Sequence, residues 1–287
     1  MKGLKRTLLA LGVAGLPAAA MADIVMLEDS AMGNITGQAG VVIELEDQTT
    51  GNITGQGGIS IELETKINMD RFIYTDEGSL TVSDISIGGA ERTDFFGFNG
   101  LGGPDSNDLL DNIRIDIDVL ADGDAAINIR PQFFNAIDFR VTSGAWELWG
   151  QGGQNTALMD NLFIEGVLGR GSIHVDTDTD IMRLRSAFAI EVMDFDVPFA
   201  AVGVRGLSLT GADYDQTFPS VLDLFAEVDL YIYHGVASDG GSSLAIDMPS
   251  FAADIGIQEV IVGQASIGQI FIDDLAITNT QMRVYGH

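Results

Sequence analysis

The densest set of residues able to do chemistry is Asp176-Thr177-Asp178-Thr179-Asp180. Alternate aspartates supply hard oxygen donors, and their spacing matches the first three ligand positions of a calcium loop. The rest of such a loop is missing. Ile181 stands where a glycine makes the sharp turn, and Ala187 where a bidentate glutamate closes the site. Two readings follow: a weak calcium site at Asp176, Asp178 and Asp180, or three aspartates on one solvated face of a strand. Asp122-Gly123-Asp124 and Asp273-Asp274 read more simply as turns.

Catalytic constellations are poorly represented. The chain has three histidines (His174, His234 and His287) and no cysteine, and no HExxH, GxSxG or phosphate-cradling GxxxxGK[ST] occurs. Carboxylates are so abundant that an acid–base pair could be drawn anywhere, so their presence selects no site. The sequence thus points away from an enzyme. Trp146 and Trp149, three apart on a strand, face opposite ways, and read either as both packed or as one in the core and one exposed to a partner or ligand. Phe95, Phe96 and Phe98 lie in a glycine-rich loop over 92–111 and read either as a plug over the end of a sheet or as an interaction patch.

The elements that hold these residues are strands. Ile59, Ile61 and Leu63 alternate with Ser60, Glu62 and Glu64, and Ile113, Ile115, Ile117 and Val119 alternate with Arg114, Asp116 and Asp118. Period two with one apolar face is a half-buried strand. Strands are expected also at 137–142, 145–150, 158–168, 171–176, 181–197, 199–210, 228–233, 244–248, 255–262, 266–272 and 275–285. Asp76-Glu77-Gly78, Asp122-Gly123 and Asp239-Gly240-Gly241 mark turns. Leu80 and Val82 give way to Ile85 and Ile87 with the opposite parity, which predicts a bulge near Ser83-Asp84. The expected class is all-β, a large elongated antiparallel sandwich or roll. The alternative is a β-solenoid.

The solenoid enters because of a tandem repeat. Residues 27–46 (LEDSAMGNITGQAGVVIELE) and 45–64 (LEDQTTGNITGQGGISIELE) are copies offset by 18 positions. Two copies are fewer than the three or so that a stacked coil needs. The repeat reads either as two neighbouring strands of one sheet or as an assembly element, one copy completing the chain's own sheet and the other adding to a neighbour's. The expected organisation is a leader at 1–22, the repeat at 23–64 and one continuous all-β domain at 65–287.

The leader is a secretory signal by pattern. Lys2, Lys5 and Arg6 precede an apolar core from Leu8 to Leu16, and Ala20-Met21-Ala22 offers the cleavage site. Export to the periplasm, the outer-membrane surface or the medium is the expected location, with no transmembrane anchor. Cleavage removes three of the 14 basic groups and none of the 42 acidic ones, leaving 11 − 42 = −31. That charge argues against nucleic-acid partners and favours a solvated chain whose self-repulsion salt relieves.

Leu27-Glu28-Asp29 followed by Ile35-Thr36-Gly37-Gln38-Ala39-Gly40, together with Ala265-Ser266-Ile267-Gly268 and the closing Arg283-Val284-Tyr285-Gly286-His287, resembles the FilA-like family. These are secreted Gram-negative proteins assigned to a pilus system. The resemblance implies a β-rich exported protein tied to surface filaments, with no catalytic residues to carry over. The expected function is therefore that of an acidic structural or adhesive surface protein. It would act through protein partners or self-association by strand addition. The alternative is a secreted binding module for lipid, glycan or calcium.

Overall fold

The computed structural model describes residues 38–45, 58–133 and 135–285, the first of these by backbone alone. The expected leader at 1–22, the Ala22 cleavage site and the Gly-Asn-Ile-Thr segments of both repeat copies lie outside the described residues. Thirteen strands form one sheet. They are β1 (Gln38–Leu45), β2 (Ile59–Thr75), β3 (Ser79–Gly88), β4 (Leu110–Val119), β5 (Ala125–Pro131), β6 (Ile137–Ser143), β7 (Trp146–Trp149), β8 (Asn155–Asp176), β9 (Ile181–Val197), β10 (Val202–Thr210), β11 (Ala226–Val236), β12 (Ser242–Val262) and β13 (Ala265–Val284). Every pairing among them is antiparallel. The all-β expectation holds. The solenoid alternative does not, since its coils stack strands in parallel.

The chain runs as a meander in which some rows are split. β3 and β4 both pair with the same long β2, and β5, β6 and β7 all pair with β8. β10 and β11 both pair with β9 and with β12. The splits close a ring of six strands, β2-β4-β5-β8-β6-β3, from which β9 to β13 continue the sheet. The result is a roll rather than two stacked sheets. Its long strands, 22 residues in β8 and 21 in β12, exceed the usual 3–10.

At each split the chain leaves the sheet and returns, at 89–109, 132–136 and 211–225. Glycine makes two of the necks. Gly89 N donates to Asp108 O at 3.0 Å, and Gly211 N donates to Leu224 O at 2.9 Å. A β-carbon on Gly89 would run into the carbonyl of Leu109, and one on Gly211 into that of Asp223. The excursions then meet over one spot. Ala90, Phe95 and Leu101 from the first, Ala136 from the second and Tyr214 and Leu224 from the third pack on Val167 and Ala189, which are direct partners across β8 and β9. Phe95 is 0% exposed, and Phe96 meets Tyr214 edge-on at 6.3 Å. The phenylalanine loop is thus a plug, set over the middle of the sheet and not over its end. A second core gathers Ile113, Ile115 and Ile137 with Ile61, Leu63, Ile127 and Ile129, the residues that alternation marks as inward.

Several expected boundaries differ. The segments 158–168 and 171–176 are one strand, as are 244–248 with 255–262 and 266–272 with 275–285. In each case the pattern break is a register slip inside a continuing strand. Asp273-Asp274 accordingly lies within β13, with Asp274 at φ 52°, and is not a turn. The parity switch in β3 also needs no inserted residue. Register against β2 is kept from Ile85 to Ser83, and Asp84 makes the switch by taking φ 52°.

Candidate functional site

The three candidate calcium ligands do not share a strand face. Asp176 ends β8, Asp178 lies in the turn, and Asp180 closes the turn at φ 57°. Asp176 Oδ1 accepts the backbone N–H of Asp178 at 2.9 Å and of Thr179 at 3.0 Å. Its bond from Thr179 first, with that from Asp178 assisting, holds its carboxyl below the usual aspartate range. Thr177 ties the turn to Asp124, whose Oδ1 takes both its N–H and its hydroxyl. Among the described residues no group of three or more acidic or histidine side chains is arranged to hold a metal. These aspartates shape a hairpin tip.

The strongest electrostatic cluster joins residues far apart in sequence. Arg92, on the first excursion, reaches Glu165 on β8 at 3.1 Å and also pairs with Glu191 on β9, while its guanidinium lies 4.0 Å over the Phe95 ring. Arg140 on β6 binds Glu165 at 2.7 Å, Glu91 at 2.5 Å and the carbonyl of Ala90 at 2.6 Å. Beside it, Asp138 accepts the N–H of Ala90 at 2.7 Å. Burial drives the Asp138 carboxyl up to about 6 against the opposing pull of that hydrogen bond. Glu165 is 6% exposed, and both its oxygens are taken by arginine. With its carboxylates occupied, the cluster is a clasp that pins the first excursion to the sheet. Nothing in the local sequence announces it, because the bonded arginine–carboxylate pairs are 25 to 99 positions apart.

A second polar system spreads over the far end of the sheet. Direct cross-strand partners share a face, and the register runs Ser60, Asp116, Asn128, Ser172, Arg185, Asp229 across six strands. Asp116 accepts from Ser60 at 2.6 Å and from Nε of Arg114 and Arg130 at 2.8 Å each. Partial burial raises its carboxyl, but these three bonds outweigh that and hold it at about 2. The face borders an open cavity of about 880 Å³ that runs from β4 to β12. A smaller cavity of about 510 Å³ is edged by Asp213, Asp215, Asp254, Asp273 and Asp274. Burial, then the charges of Asp273, Asp274 and Asp213, raise Asp254 against the bond it accepts from the Asp274 N–H.

The last feature is an edge. β13 pairs with β12 on one side only, and nearly all of its 20 residues are exposed. Ile267 is 65% and Phe271 63% exposed, with Ile270, Ile272 and Met282 also open to solvent. At the other edge β1 pairs only with β2, so that Ile43 stands opposite Ile61, its own counterpart in the repeat. The two copies are neighbouring strands of one sheet. Of the two tryptophans, Trp146 is half-buried and donates from Nε1 to Ser143 Oγ at 2.8 Å, and Trp149 is the more exposed. No helix among the described residues is long and apolar enough to cross a membrane.

Among known proteins, a family of unknown function, DUF6160, matches residues 1–50 and again 44–121. The two matches overlap where the first repeat copy ends and the second begins. No curated protein and no solved structure matches the chain.

Proposed function

We propose that this chain is an exported, non-catalytic structural protein of the Gram-negative surface, tied to a filament system, that self-associates by antiparallel strand addition at β13. The observation that carries the reading is the β13 edge itself. A long strand with unpaired N–H and C=O groups and large apolar side chains is a template for another strand. Its 20 residues hold only Asp273, Asp274 and Arg283 as charged groups, in a chain with 42 acidic and 14 basic residues. A second copy of the same strand is the occupant, and a two-fold axis between copies supplies the antiparallel pairing used throughout the sheet.

Sedimentation of the chain from residue 23 onward tests this. The expected result is a dimer or larger species that strengthens with salt, as screening relieves acidic repulsion, and a monomer for Phe271→Lys. A parent that stays monomeric at every salt concentration, or a variant that associates equally well, overturns the proposal.

A further inference from the structure

Beyond residue 22 the chain has 14 − 3 = 11 basic residues. Six of them, Arg114, Arg130, Arg170, Arg183, Arg185 and Arg283, gather on the polar face described above or border its cavity. In a chain with three times as many acidic as basic groups, the cavity lining is balanced, with Arg130, Arg170 and Arg185 against Asp116, Glu227 and Asp229. Two of the six arginines also face one another. Arg114 is the direct cross-strand partner of Arg130, and like charges so placed are unfavourable unless an anion lies between them. Asp116 answers these two. Next along, on β8, Arg170 is exposed and lines the same cavity, and no described residue bonds its side chain. Arg185, on the following strand, has one long contact of 3.4 Å to Asp229 and is more than half exposed.

We propose that this groove binds an anionic glycan, an oligosaccharide whose sugars carry carboxylates, with Arg130, Arg170 and Arg185 receiving the acid groups. The three arginines stand on the consecutive rows β5, β8 and β9. Rows are spaced ~4.8 Å, a step on the scale of one sugar, so an extended chain lying across the strands presents one carboxylate per row. Each guanidinium keeps N–H donors in the fork geometry that suits a carboxylate. Asn128 and Ser172 on the same rows, with the exposed Glu227 on β11 and Ser250 on β12 beyond them, offer amide, hydroxyl and carboxylate partners for sugar hydroxyls. The interspersed Asp116, Glu227 and Asp229 repel ligands of higher charge density, which disfavours polyphosphates and nucleic acid. The cavity volume falls within the range of sites that hold several rings. This inference rests on the groove alone and is independent of the β13 edge.

Calorimetry with tetragalacturonate, its methyl ester and a short polyphosphate as probes tests it. The acid form is expected to bind, the uncharged ester at least about tenfold more weakly, and the polyphosphate no better than the acid glycan. Arg170→Gln with Arg185→Gln is expected to lower affinity about tenfold or more while leaving the thermal transition in place, because Arg170 bonds to no described residue and Arg185 makes one long contact. Binding should weaken with salt, opposite in sign to association at β13, so failure of one proposal is separable from failure of the other. Absence of binding at millimolar glycan overturns the site. Equal binding of acid and ester, unchanged affinity in the double variant, or tighter binding of polyphosphate each does the same.

Discussion

Two aspartates in this protein sit in opposite electrostatic situations, and their pH behaviour should differ in sign. Asp138 is 4% exposed and titrates near 6 because burial disfavours its charge. Between the ordinary aspartate value of about 3.9 and about 6 the folded state holds the extra proton, so this group makes stability fall as pH rises, by about 3 kcal/mol in all. Asp138→Asn keeps an acceptor for the Ala90 N–H. The variant should gain stability relative to the parent as pH goes from 4 to 7; parallel denaturation curves at both pH values would reject this. Asp116, held at about 2, contributes stability that is present above about 3.9 and lost only as pH falls towards 2. Glu165 is the most consequential charge: replacing it with Gln leaves Arg92 and Arg140 short of their shared carboxylate. Breaking one side of a buried ionic cluster costs about 3 kcal/mol or more, and breaking the half-buried Arg283–Asp247 pair, which solvent screens, should cost much less. Urea midpoints for Glu165→Gln and Arg283→Gln should differ accordingly. Neither Glu165 nor Asp138 stands out in the sequence, since a carboxylate's partners are chosen by strands that fold against it from far away.

At the scale of the element, much of the sheet is legible. Alternation at Ile59–Leu63 and Ile113–Val119 reports the inward face directly, and the turns at 76–78, 122–123 and 239–241 fall where Asp and Gly allow them. What misleads is an irregularity that lacks a turn. At 169–170, 249 and 273–274 the alternation lapses, yet the strand continues, because pairing resumes beyond the slip, with neighbours on both edges at the first two and with β12 alone at the third. Local pattern cannot separate a bulge from a strand end when that difference is settled by pairing partners. The excursions are likewise invisible as a set, though the Phe95 plug and its glycine surroundings are visible singly. Their necks give a sharp test. Gly211→Ala brings a methyl against the Asp223 carbonyl and should destabilise by about 1–3 kcal/mol, releasing Tyr214 and Leu224 from the core. Gly240→Ala, at a tip with open space around it but φ 85°, pays only local backbone strain, about 1 kcal/mol, and should leave hydrogen-exchange protection of β8 and β9 unchanged.

For the whole molecule, the question is which edge brings copies together. The tandem repeat suggests its own answer, one copy for the sheet and one for a neighbour. The register points elsewhere: β1 lies on β2 with Ile43 opposite Ile61, so the second copy is already used within the chain. Removing residues 27–44 takes away most of β1 and moves that edge to β2, where Glu62 is half-buried and Glu64 exposed. Acidic side chains at an edge discourage further pairing. β13 is untouched by this deletion, and its apolar row is the better template. The deletion variant should therefore keep its far-ultraviolet β signal and dimerise with the salt dependence of the parent, whereas Phe271→Lys should lose dimerisation with both repeat copies intact. Sedimentation velocity of the three proteins between low and high salt decides between the edges. Loss of association on deleting 27–44, with Phe271→Lys still associating, would move the interface to the repeat.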